Sequence, residues 1–167
     1  MKSKPVKTTV KKVKKDTTKK INWPDVAFSP GAISQGTISG EANFLIGRYE
    51  SGSDGNNAFG GVRIGVESNF KKGREQIIAP KIGFEISGSF ICLRATALYY
   101  MNNSVTQITV LPEIGFSFWG FAHLTYGYNI KIKGNIEGIN GNRVGLSFNI
   151  NKALMHDALK WKHKDKH

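Results

Sequence analysis

Apolar residues alternate with polar or small residues along most of the chain from Val62 onward. Because successive side chains of a β-strand point to opposite faces, this two-residue period predicts strands with one apolar and one polar face. Six segments show the period clearly, and their apolar faces run through Val62–Val66, Ile82–Ile86, Ile91–Tyr99, Ile108–Phe118, Ala122–Ile132 and Val144–Ile150. Two weaker segments, Val26–Ser34 and Ser39–Arg48, bring the predicted number of strands to eight.

Turn signals separate these segments at short intervals, among them Ser87–Ser89, Gly120 and the long stretch "KIKGNIEGINGN". The spacing predicts an all-β fold, an antiparallel up-and-down barrel of about eight strands with no free edge. An even number of strands places both termini at one end of the barrel, together with the two short turns. The long "ESGSDGNNAFGG" connection falls at that same end and fits this arrangement poorly.

The positive charge is concentrated at the two ends of the chain. Lys and Arg number 24 against 12 Asp and Glu, a formal charge of +12. The first twenty residues carry nine lysines and one acid, and residues 152–167 carry five lysines and two acids. We therefore expect a disordered basic tail at 1–22, a nearly neutral barrel at 23–151 and a second basic tail at 152–167. No nucleic-acid partner is expected, because the N-terminal lysine run lacks the arginines and aromatic residues that read or stack on bases.

The chain shows few signatures of chemistry. Its single cysteine, Cys92, excludes an internal disulfide and a multi-cysteine zinc cluster. No metal-ligand spacing, phosphate-binding glycine loop or nucleophile motif is present, so we expect no metal, no cofactor and no enzymatic activity. No apolar stretch follows the basic N-terminal run, so no export signal is visible in the sequence.

Alternation fits both a soluble barrel that is apolar inside and a membrane barrel that is apolar outside. The polar face favours the membrane barrel, because no lysine occurs between Ile82 and Ile130 and most of its residues are small. Such a face is typical of a narrow, filled lumen in which isolated charges pair with one another. The predicted lumen network, which we expect to be structural, comprises Arg63, Glu67, Glu85, Arg94, Glu113, His123 and Arg143.

Aromatic residues lie near the predicted strand ends, where such rings anchor a barrel at the two membrane interfaces. One group brackets Gly120, and a pair of tyrosines ends the strand that begins near Ser89. The predicted membrane-interface aromatics are Tyr99, Tyr100, Phe116, Phe118, Trp119 and Tyr128.

Three stretches of the second half, "PKIGFEISGSFICLRATALYY", "PEIGFSFWGFAHLTYGYNI" and "INGNRVGLSFNI", resemble the small eight-stranded outer-membrane barrels of Gram-negative bacteria. The segment "RVGLSFNI" is similar to the terminal strand by which such proteins are recognised for assembly, although here the chain continues beyond Ile150. The resemblance implies a bacterial outer-membrane location, contact with outer-membrane lipid and with other envelope proteins, and a porin-like architecture. We also expect the basic tails to contact anionic headgroups.

One local motif is similar to an enzyme family. Barrel lipid hydrolases of the lipid A deacylase type use a His-x-Ser pair with a carboxylate on the outward face. Here His123-Leu124-Thr125 has threonine in place of serine and lies on the polar face, so a lumen histidine bonded to Glu113 or a neighbour is expected. The sequence predicts an integral outer-membrane barrel with a plugged or narrow polar lumen and a structural or accessory role. The alternative is a soluble, lipocalin-like barrel that binds an apolar ligand.

Overall fold

The computed structural model describes residues 24–51, 57–103 and 105–151. The two predicted tails, 1–22 and 152–167, lie outside these ranges. The described chain forms nine antiparallel strands and one short 3-10 helix, Gly73–Glu75. The strands are β1 Asp25–Ser34, β2 Ile38–Ser51, β3 Asn57–Ser68, β4 Ile78–Ser87, β5 Ile91–Asn102, β6 Val105–Phe118, β7 Ala122–Tyr128, β8 Ile130–Lys133 and β9 Asn142–Phe148. Within the described ranges, no helix has the length and apolar character needed to span a membrane.

The strands close into a barrel. Strands β1 to β6 pair in chain order, β6 pairs with both β7 and β8, and β9 joins β7 to β1. Strands β7 and β8 therefore occupy one position in the wall, interrupted at Asn129, whose backbone N–H donates to the Gly141 carbonyl at 2.7 Å. The result is a closed, eight-stranded antiparallel barrel, which confirms the predicted all-β fold and strand number.

The strand register describes a strongly tilted barrel. A row of paired residues followed from Phe28 across β2 to β6 reaches Ile130. In the other direction the row passes through Ile150 and arrives at the Gly120–Phe121 turn. The two ends of the row therefore meet at the wall position shared by β7 and β8, about ten residues apart along the chain. This stagger tilts the strands about 40° from the barrel axis.

Both ends of the described chain lie at the same end of the barrel, which we call the terminal end. The opposite end, which we call the loop end, carries the longer connections at 69–77 and 134–141. The connection that fitted poorly at the terminal end is only 52–56, because pairing of β2 with β3 continues to Ser51 and Asn57. The β6–β7 hairpin turns on Trp119 and Gly120, both at positive φ, a two-residue turn of type I′.

Two apolar clusters lie inside the barrel, one near each end. The cluster at the loop end is formed by Ile77, Ala79, Leu98, Tyr100, Leu111, Ile136 and Ile139. Two of its members belong to the 134–141 loop, which bends into the lumen and is held there by a hydrogen bond from the Ile136 N–H to Gln107 Oε1 at 2.8 Å. The cluster at the terminal end is formed by Ala27, Leu45, Tyr49 and Phe59. Polar and charged side chains fill the layer between these clusters.

Candidate functional site

The inward positions of six strands bring eight charged side chains together in the lumen. Because alternate residues of each strand face inward, the pairing register decides which charges meet. The set contains four acids and four bases, all buried: Glu41, Glu67, Glu85 and Glu113 with Arg63, Lys81, Arg94 and Arg143. The buried charges of the described barrel therefore balance.

One half of this lumen network lies toward the loop end, between β2, β3, β4 and β9. Lys81 Nζ contacts Glu41 Oε2 and lies 3.3 Å from Glu67 Oε2. Arg143 Nη1 lies 2.8 Å from Glu67 Oε2. Gln35 extends this half, donating to Glu67 Oε1 at 3.2 Å. Glu41 Oε2 also lies 3.5 Å from Arg143 Nη2, so each of these two carboxylates has more than one cationic partner.

The other half is centred on Glu85 in β4. Arg63 Nη1 and Arg94 Nε both bind Glu85 Oε2, at 2.8 and 2.9 Å. The second nitrogen of Arg63, Nη2, lies 2.8 Å from Glu41 Oε1 and joins the two halves. Since charges removed from water are costly unless they are paired and hydrogen-bonded, this continuity stabilises the charged lumen.

The structure places all seven predicted lumen residues on the inner face. Five of them belong to the ion-paired core, and two lie beside it. Arg63, Glu67, Glu85, Arg94 and Arg143 form the paired core described above. Glu113 lies at its margin, 3.6 Å from Arg143 Nε. The remaining residue, the histidine, has Nε2 at 2.8 Å from Asn149 Nδ2, a neighbour other than Glu113.

Two members of the network, Glu41 and Lys81, were not predicted. Alternation could have identified both as lumen residues, because Glu41 lies on the same polar face as Ser39 and Asn43, and Lys81 lies on the same face as Glu85. Their burial preserves the balance of charge, because they add one acid and one base to a predicted set of three acids and three bases.

The prediction that Tyr100 lies at the membrane interface is wrong. Its side chain is fully buried, and its hydroxyl donates to Gln35 Oε1 at 3.1 Å inside the barrel. The reason is alternation, because Tyr99 and Tyr100 are adjacent in β5 and only Tyr99 faces outward. The other five predicted aromatics, Tyr99, Phe116, Phe118, Trp119 and Tyr128, are all exposed.

Two further groupings bear on chemistry. Ligand atoms of Glu85, Cys92 and His123 lie within 4.8 Å of one another. A divalent cation there would meet the two guanidinium groups already bound to Glu85, so the contacts favour an ion-paired network over a metal centre. The Thr125 hydroxyl lies 3.3 Å from Glu113 Oε1, so the His-x-Thr motif does not form a hydroxyl–histidine pair among the described contacts.

The outer face of the barrel is apolar. Outward-facing Ile, Val, Leu, Phe and Tyr side chains are exposed on every strand, as on β4, where Ile82, Phe84 and Ile86 are 56%, 67% and 67% exposed. The charged side chains exposed in the described ranges lie toward the two ends, at Arg48 and Glu50 and at Lys71, Lys72, Glu75, Lys131, Lys133 and Glu137. We call the uncharged zone between them the apolar belt.

Comparison of the chain with protein-family models, with curated proteins and with solved structures finds no match.

Proposed function

We propose that this chain is an integral outer-membrane β-barrel of a Gram-negative bacterium, with a plugged lumen and a structural or accessory role in the envelope. The observation that carries the proposal is the distribution of polarity. The apolar belt is exposed around the closed wall, while eight charged side chains are buried inside it. Soluble proteins rarely expose so large a continuous apolar surface, whereas a membrane barrel requires one.

The dimensions of the wall fit this proposal. A strand rises about 3.3 Å per residue along its own direction. When the strand is tilted by about 40°, each residue advances about 2.5 Å along the barrel axis. The apolar band of such barrels is about 25 Å tall and therefore needs about ten residues per strand. Strand β6 has 14 residues and β5 has 12, so both are long enough to cross it.

The filled lumen supports a role without a solute path. The apolar clusters lie near the two ends, and the ion-paired layer lies between them. The loop at 134–141 adds two isoleucines to the cluster at the loop end. These contacts leave the described lumen occupied by side chains that stabilise one another.

The alternative, a soluble lipocalin-like barrel, requires an apolar interior to receive its ligand and a polar exterior. The described barrel has the opposite distribution.

Partners that follow from the proposal are outer-membrane lipid, other envelope proteins and, for the basic tails, anionic headgroups. The terminal end, with its short turns, faces the periplasm in this proposal.

Fractionation and heat-modifiability test the proposal. The chain is expressed with an export signal, and boiled and unboiled samples of each cell fraction are compared on a detergent gel. We expect recovery in the outer-membrane fraction and a mobility that changes on boiling. A soluble protein whose mobility does not change would contradict the proposal.

A pair of variants sharpens this experiment. Ile82→Asp with Phe84→Asp places two charges on the apolar belt and is expected to abolish membrane recovery. Lys71→Asp with Lys72→Asp places the same number of carboxylates on the loop end and is expected to leave recovery unchanged. Equal behaviour of the two double variants would contradict the assignment of the belt to lipid.

A further inference from the structure

Strand β8 has an open edge. It pairs with β6 on one side, and no described strand pairs with it on the other. Strand β7, which directly precedes it in the chain, pairs with β6 and with β9. Unpaired backbone N–H and C=O groups on such an edge are a template for a further strand.

The edge is open because the next loop is used elsewhere. The pairing of β7 with β9 ends at Tyr128 and Asn142. Beyond it the chain at 134–141 leaves the sheet, and the Asn140 N–H donates to the Gln35 carbonyl at 2.9 Å. Ile136 and Ile139, each 4% exposed, then lie in the lumen. The residues that would otherwise continue the hairpin and cover β8 form part of the plug.

The four residues of β8 are isoleucine and lysine in turn, and all four are exposed. A register shift in the β6–β8 pairing places Lys131 opposite the inward-facing Thr109 and Lys133 opposite the outward-facing Ile108, so the two lysines lie on opposite faces of the edge. Ile130 and Ile132 are 45% and 63% exposed. A strand added here would lie beside two apolar and two cationic side chains. Opposite charges on paired strands stabilise a sheet, and like charges directly opposite destabilise it.

We propose that the edge of β8 is a docking site for an extended acidic segment of another protein, which binds by strand addition. The segment presents one carboxylate beside Lys131 on the inner face and another beside Lys133 on the outer face. A second copy of the chain that docks through its own β8 is disfavoured as the occupant, because it would bring two further lysines to an edge that already carries two. The site goes beyond the proposed membrane role and does not depend on it.

The test uses the full chain folded in a zwitterionic detergent and a fluorescein-labelled octapeptide of valine and glutamate, Val-Glu-Glu-Val-Val-Glu-Glu-Val, which carries carboxylates on both faces of a strand. Fluorescence anisotropy measures binding. We expect saturable binding, and we expect binding at least about tenfold weaker for a twin peptide methylated on every second backbone nitrogen. That twin keeps every side chain and charge and loses only backbone donors.

Two double variants separate the edge from general attraction to basic residues. Lys131→Glu with Lys133→Glu reverses both charges beside the bound strand and is expected to weaken binding about tenfold. Lys71→Glu with Lys72→Glu makes the same change in net charge elsewhere on the loop end and is expected to have little effect. Circular dichroism spectra that match the parent protein show that each variant is folded.

Three outcomes would overturn the inference. The first is no saturable binding of the valine–glutamate peptide. The second is equal binding of the methylated twin, which would indicate attraction of charges without strand addition. The third is equal weakening by the two double variants, which would indicate a general preference of the loop end for anions such as lipid phosphates.

Discussion

An arginine introduced on the outward face of β6 is expected to lower the free energy of unfolding, and to lower it more near the middle of the strand than near its end. Ile114 faces outward and is 59% exposed, and Thr106 lies near the start of the same strand at the loop end. Ile114→Arg and Thr106→Arg therefore place one identical charge at two heights on one strand. The pair tests whether hydrocarbon surrounds the apolar belt.

The magnitude follows from the geometry of the tilted strand. Twelve residues separate Thr106 from Phe118, which at about 2.5 Å per residue is about 30 Å along the axis. Ile114 then lies about 5 Å from the middle of that span, and Thr106 lies at its edge. A lipid-facing arginine costs about 2–4 kcal/mol near the bilayer midplane and about 0–1 kcal/mol near the interface. In water both substitutions would fall within about 0.5 kcal/mol of the parent.

The assay is reversible denaturant unfolding in phospholipid vesicles, with the free energy taken from linear extrapolation. Ile114→Ala measures the loss of the isoleucine side chain separately from the added charge. We expect Ile114→Arg to lower the free energy of unfolding by about 2 kcal/mol more than Thr106→Arg. Equal and small effects of the two arginines would refute the argument that the outward face contacts lipid.

The other predictions concern the lumen and the wall. Glu85→Gln leaves two buried guanidinium groups without their shared carboxylate and is expected to lower the free energy of unfolding by about 3–5 kcal/mol; Glu75→Gln, in an exposed pair, should leave the denaturant midpoint unchanged. Planar-bilayer recordings are expected to show no steady open conductance, and a steady conductance altered by Glu113→Gln would contradict a plugged lumen. Gly115→Ala brings a methyl group against the backbone carbonyl of β7 and should destabilise the barrel by about 1–3 kcal/mol, whereas Gly60→Ala meets open space and should have little effect on the same unfolding curve.

Alternation predicts the strands because it is a local property of the chain. The apolar face from Ala122 to Ile132 was predicted as one strand, and the wall does contain one strand position there, broken at Asn129. The same rule would have placed Tyr100 inside. Tyrosines gather at membrane interfaces, but the position of Tyr100 in the alternation decides its orientation, and its side chain is buried inside the barrel.

The alternation pattern does not predict which charged residues of the network contact one another across strands. Lys81 pairs with Glu41, which is forty positions away, and only the register of three strands brings them together. Lysine is usually solvated, so its burial depends on partners that a local pattern does not identify. The loop at 134–141 is a second case, because its turn-rich composition predicts an exposed connection and two of its isoleucines instead fill the lumen.

The lumen network also explains how the register of the wall is specified. A slip of one residue turns every side chain of a strand to the opposite face. For β4 such a slip would move Lys81 and Glu85 onto the apolar belt. Arg94 would lose its carboxylate partner, and Glu41 and Arg63 would each lose one ion pair while keeping the pair between them. Removing one partner of a buried ion pair costs about 3–5 kcal/mol, and a charge on a lipid face costs about 2–4 kcal/mol more. Among the described residues, the one charged side chain of β1 is the half-buried Asp25, which accepts a hydrogen bond from the Tyr49 N–H at 3.2 Å and stands outside the ion-paired network. Backbone pairing and apolar packing must therefore specify the register of β1, and the β1–β9 seam is the junction that the network constrains least.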